Sequence, residues 1–93
     1  MPYIKQEDRA FVDYEIKTLA NEIKRVINDS GGREGMMNYV ISQLINQVYD
    51  PKTMRYSDMN DVVGMLDCCK MEFYRKVAAP YEDKKELENG KVY

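Results

Sequence analysis

The side chains able to do chemistry in this chain are carboxylates, tyrosines, neutral amides and a few arginines, because its 93 residues include no histidine and no tryptophan. A histidine base, a histidine-ligated metal and nucleophile–histidine–carboxylate machinery are thereby excluded. The carboxylates could hold Mg²⁺ for hydrolysis of a nucleotide, a task all-helical hydrolases accomplish by facing two pairs of acids, each spaced i and i+3, on neighbouring helices. Asp58 and Asp61 make one such pair. Asp13, Glu15 and Glu22 do not supply the second, since they follow one another by 2 and 7 residues. In the first turn of a helix Asp58 and Asp61 have the simpler role of complementing the helix dipole. The reading is therefore non-enzymatic, with no catalytic residue, no metal site and no cofactor.

Binding offers more. Eight tyrosines are spread along the chain, and phenol rings bury area while keeping a polar tip. Stacking faces, neutral donors and acceptors and an occasional arginine are what recognition of a nucleobase and phosphate requires. Arg33, Asn38, Tyr39, Ser42, Asn46, Tyr49, Arg55 and Tyr56 are the candidate ligand-binding set. Core plus subunit interface is the competing reading of the same residues. Ser30-Gly31-Gly32-Arg33-Glu34-Gly35 places glycines before a helix start, where free N–H groups attract anions. It lacks the preceding strand and the Lys-Ser/Thr continuation of a phosphate-binding loop, so it reads as an interhelical turn.

These residues need elements to position them. From Glu7 the apolar positions Val12, Ile16, Leu19, Ile23 and Val26 recur at spacings of 4, 3, 4 and 3, a helical stripe. Asn28 to Gly32 should end that helix and reverse the chain. A second helix runs to Tyr49, before Asp50-Pro51, and its fourteen residues from Met36 to Tyr49 carry no charge in a chain that is 32% charged. Met37, Val40 or Ile41, Leu44 and Val48 form its apolar face; Asn38, Ser42, Asn46 and Tyr49 form a neutral polar stripe. Such a helix is central, covered by its own domain or by another subunit. Ser57 is the expected N-cap of a third helix carrying Met59, Val62, Leu66, Cys69, Phe73 and Val77. Pro80 breaks or kinks it and starts a short fourth, closed by Asn89-Gly90. The fold expected is all-α: a single domain over residues 1–93, an antiparallel bundle of three principal helices plus a short C-terminal one, at about 7–28, 34–49, 58–79 and 80–88.

Composition bounds the rest. Leu, Ile, Val and Phe together make 20 of 93 residues, a thin core for one chain. Sixteen acids against fourteen bases leave a charge of −2, without the positive field that bulk nucleic acid demands. No apolar run is long enough for a membrane span, and the first residues lack a signal-peptide core, so no membrane partner and a cytoplasmic location are expected. Cys68 and Cys69 are adjacent and cannot staple distant segments; reduced thiols fit that compartment.

Three segments carry a likeness: Pro2-Tyr3-Ile4-Lys5-Gln6-Glu7-Asp8-Arg9, Asn38-Tyr39-Val40-Ile41-Ser42-Gln43-Leu44, and Glu72-Phe73-Tyr74-Arg75 with Pro80-Tyr81-Glu82-Asp83-Lys84-Lys85 and Glu88-Asn89-Gly90. Together they resemble a family of uncharacterised short proteins from bacteria and their phages, over nearly the whole chain. That resemblance carries no catalytic residue with it. It implies a setting in which small phage proteins modulate host systems, some as helical oligomers that sequester cyclic nucleotides or other nucleotide-derived immune signals. The expected function is a homo-oligomeric binding protein, assembled through helix 2, for a small nucleotide ligand. The alternative is a protein–protein adaptor or inhibitor of a host protein, and Mg²⁺-dependent hydrolysis ranks last.

Overall fold

The computed structural model describes residues 2–30 and 32–93, side chains of residues 29 and 30 excepted. The chain is all-α, and no strand occurs among the described residues. Helix α1 spans Gln6–Ser30, α2 Arg33–Val48 and α3 Tyr56–Phe73; a π-helical segment, Tyr74–Ala78, leads into α4, Ala79–Asn89. Two compact units are distinguished, with α1 and α2 inside Tyr3–Met54, and α3, the π-helical segment and α4 inside Arg55–Tyr93.

In the first unit, α1 begins where Lys5 O accepts the N–H groups of Asp8 and Arg9, at 3.0 and 3.2 Å. Glu7 and Asp8 sit in the first turn, where the dipole favours acids. Arg9 Nε donates to Ile4 O at 2.9 Å and ties the leading segment to the helix. Arg25 bonds Glu22 on the solvent side, and that guanidinium holds the Glu22 carboxyl below its ordinary value. The helix runs two residues beyond the expected Asn28. Gly32 adopts φ 72°, ψ 46°, a left-handed conformation open to glycine at little cost, and its carbonyl receives the Met36 N–H at 2.9 Å to start α2. Gly31, the other glycine of the expected turn, lies outside the described residues.

α2 stops as the residue before Asp50-Pro51 requires. Tyr49 turns extended, at φ −108° and ψ 115°, and Asp50 then organises the loop, its O accepting Met54 N–H at 2.9 Å and its Oδ1 accepting Lys52 N–H at 3.0 Å.

The second unit departs from expectation in three places. Its first helix starts at Tyr56 with Arg55 as N-cap, ahead of the predicted Ser57 cap, because Asp58 Oδ2 reaches back to accept the Arg55 N–H at 2.9 Å. The predicted apolar stripe contains the buried Val62, but its member Cys69 is exposed, and the neighbouring Cys68 is half-buried instead. Glu72 bonds Arg75 at 2.9 Å, and Asp67 faces Lys70 at 3.9 Å.

Pro80 was expected to interrupt the chain between two helices. It begins the first turn of α4, yet the backbone stays helical from Tyr56 through Asn89. Proline has no N–H for the carbonyl four residues back and its ring crowds that carbonyl, so the preceding turn widens. Ala79 N–H accordingly reaches Tyr74 O, five residues away. Widening takes one residue out of α-helical phase, so position i+8 lands near where i+7 otherwise falls, on the same face. Tyr74 OH therefore donates to Glu82 Oε2 at 2.7 Å across the π segment. That bond, reinforced by the negative charge of Glu82 and Asp83, raises the Tyr74 phenol above the ordinary tyrosine value.

A raised phenol pKa favours the fold fully below the tyrosine value of about 10 and loses that contribution as pH climbs through the folded-state value. Pro80→Ala should restore α-helical phase, turn Glu82 away and lower the Tyr74 phenol toward the ordinary tyrosine value. The phenolate absorbance titration should then lose its late component, as it should in Glu82→Gln; a late component that survives both changes contradicts this account.

Candidate functional site

Two surfaces of the α1–α2 unit stand out, and α2 contributes to both. The first is an apolar groove of about 360 Å³ between the helices. Ile16, Leu19 and Ile23 of the α1 stripe, joined by Ile27, line one wall; Met37, Val40, Ile41 and Leu44 line the other. Lys24 and Arg33 are the charged residues of this lining, both toward the α1–α2 link. Its side chains are poorly covered: Ile16 is 59% and Leu44 52% exposed. Both stripes were predicted as core positions, and the structure brings them together but leaves them open to one side.

The second surface is the neutral polar stripe. At about 100° per residue, Asn38, Ser42 and Asn46 centre roughly 150° round α2 from the groove wall of Met37, Val40, Ile41 and Leu44. They face away from the groove. Ser42 Oγ donates to Asn38 Oδ1 at 3.4 Å, and Tyr39 flanks the stripe at 62% exposure. Asn38, Tyr39, Ser42 and Asn46 thus form one coherent exposed face of neutral donors and acceptors beside an aromatic ring.

The remaining candidates are placed otherwise. Arg33 lies in the first turn of α2 and lines both the groove and a shallow cleft with Ile27, Asn28, Gly32 and Glu34. Tyr49 caps α2, half-buried, with its N–H bonded to Ile45 O at 2.8 Å. Arg55 caps α3, and Tyr56 opens that helix with its ring exposed. Neither belongs to the α1–α2 unit. A third cleft, lined by α4 residues Glu82, Lys85 and Glu86 together with Val92 and Tyr93, holds none of the eight. Sequence reasoning missed the groove itself, although the 4-3-4-3 spacing on α1 and the lack of charge on α2 were its signals.

The carboxylates give no comparable cluster. Among the described residues no group of three or more Asp, Glu or Cys is arranged to hold a metal ion. Asp58 is engaged at the α3 start, its Oδ2 occupied by the Arg55 N–H. Among the described residues, no helix is long and apolar enough to cross a membrane.

Residues 1–92 match the family described as Domain of unknown function (DUF6899). The chain belongs to that family. Membership in an uncharacterised family, expected from the opening, central and closing segments, is thereby established, and the match runs through every helix described above. Among curated proteins and among solved structures, none matches.

The capping geometry generates a stability test within this family fold. Asp58→Ala removes the carboxylate that satisfies the Arg55 N–H and should cost about 1 kcal/mol in urea unfolding, whereas Ser57→Ala, one position inside the helix, should be neutral or slightly stabilising. Equal losses at the two positions would restore Ser57 as the cap.

Proposed function

We propose that this chain is a non-enzymatic, homo-oligomeric binding protein of the cytoplasm that sequesters a small nucleotide-derived ligand on the polar face of α2. The observation that carries the reading is the exposed, uncharged set of Asn38, Ser42 and Asn46 beside the open ring of Tyr39. Neutral amides offer both donor and acceptor to a base edge, and a tyrosine supplies a face to stack on. Arg33, at the start of the same helix, is the cation available for a phosphate. Sequestration of a nucleotide immune signal on behalf of a phage is the setting that fits a small helical oligomer without histidine.

A second reading draws on α3, where Met59 and Leu66 are exposed and Phe73 is 63% exposed. Aromatic and methionine side chains offered to solvent suit contact with a host protein, as an adaptor or inhibitor.

Thermal unfolding against cyclic di- and trinucleotides and ADP-ribose derivatives separates the two. A true ligand at about 100 times its Kd should raise the melting temperature by on the order of 10 °C, and should be recovered chemically unchanged after heating. Tyr39→Ala and Asn46→Ala should abolish the shift. Indifference to every nucleotide in the panel sinks the sequestration reading, and recovery of a cleaved ligand makes the protein a hydrolase.

A further inference from the structure

We infer that the α1–α2 groove is the self-association surface, filled by the same groove of a second copy to close a four-helix core. The inference rests on the oligomeric reading above and assigns its contact. Four observations carry it.

First, the unmet area matches the need. Val12, Ile16, Leu19, Met37, Ile41, Leu44 and Val48 are each between 38% and 74% exposed. Together they offer on the order of 600 Å² of apolar surface, against the roughly 800 Å² that each partner contributes to a stable interface; the polar rim supplies the remainder.

Second, the groove has the form of half a bundle. Two helices with apolar residues at 3- and 4-residue spacings make two walls, and an identical pair related by a twofold axis supplies the other two.

Third, the charges fit an antiparallel pairing of the two α1 helices. Asp13 and Lys24 flank the same edge of the groove, eleven residues apart and so about 16 Å along the helix. Reversing a second α1 against the first sets each Asp13 level with the other copy's Lys24. The Lys24 and Arg33 ends of the two grooves are thereby kept at opposite ends of the assembly, and an otherwise repulsive meeting becomes two attractive ones.

Fourth, the arrangement leaves the polar face outward. Asn38, Tyr39, Ser42 and Asn46 lie on the opposite side of α2 and remain accessible in the pair.

Light scattering of the full chain should give twice the 10.9 kDa of one chain. Ile16→Glu and Leu44→Glu should each shift the mass to that of a single chain at micromolar concentration, whereas Thr18→Glu, on the far side of α1, should leave the pair intact. Because the groove variants can also unfold the helices, the charge pair provides an independent arm. Asp13→Lys should weaken dimerisation about tenfold, and the swap Asp13→Lys with Lys24→Asp should restore it. A pair that survives both glutamate variants and ignores the charge swap overturns the groove as interface while leaving the oligomeric binding reading standing. A wild type of single-chain mass overturns both. If Leu44→Glu still lowers the melting temperature of such a single chain, the groove is covered by the chain's own residues. Loss of the nucleotide response with the pair intact counts against the binding reading alone.

Discussion

Val62, at 8% exposure, is the one buried hydrophobic side chain among the described residues, and burial of apolar surface is the main favourable term in folding. Ordering a backbone costs about 1–2 kcal/mol per residue, so helices with a half-covered face are stable only when something else completes the covering. Local devices hold the helices in shape but do not replace that covering. The Asp58 cap, the Gly32 turn, the Asp50 loop and the i,i+3 ion pairs each supply at most about 1–2 kcal/mol. The half-exposed apolar stripes of α1 and α2 are what the proposed second copy would cover.

The neutrality of α2 from Met36 onward fits the same proposal. In the proposed pair this helix would have one face in the core and its flanks near the subunit boundary, where a charge without a partner is costly. Asparagine, serine and glutamine keep such flanks soluble without that penalty. Charge is displaced to α1 and to the second unit, where Glu22–Arg25, Glu72–Arg75 and Lys85–Glu88 are solvent-side pairs within single helices. Their contribution is small and local, which suits surfaces that do not take part in packing.

How much of this was legible in the sequence depended on the range of each signal. The α1 stripe was read correctly because spacings of 3 and 4 are a local property of a helix, and the groove walls Ile16, Leu19 and Ile23 came with it. The α2 ends were legible because proline and glycine constrain the backbone directly. The α3 start was misplaced because a carboxylate three residues inside a helix and a serine near its start both satisfy an N–H, and only geometry decides between them. Pro80 is legible as a break or kink and as a first-turn residue of α4 because its missing donor is visible in sequence, whereas the wide turn that keeps the backbone helical depends on the carbonyls it crowds. Cys69 is placed on the stripe by its spacing although Cys68 is the better covered, because adjacent helix positions differ by only about 100° and a wide stripe borders on both. The eight candidate residues were gathered by chemistry alone, and chemistry does not say that Asn38, Tyr39, Ser42 and Asn46 share a face while Arg55 and Tyr56 belong to the other unit.

The two faces of α2 constrain each other. If the polar stripe were turned inward, its amides would have to find partners in a symmetric core, where each unsatisfied group costs about 1–3 kcal/mol in each copy. If the apolar face were turned outward, the assembly would lose the residues with which α1 is already in register. Only one orientation of the helix satisfies both requirements, with Leu44 and Ile41 toward the groove and Ser42 and Asn46 away from it. In the proposed pair, a ligand surface on the outer side of α2 would inherit the rigidity of the four-helix core on its inner side. Side chains as small as asparagine and serine, which carry little binding energy singly, gain most from such fixed placement, because little ordering remains to be done when a ligand arrives.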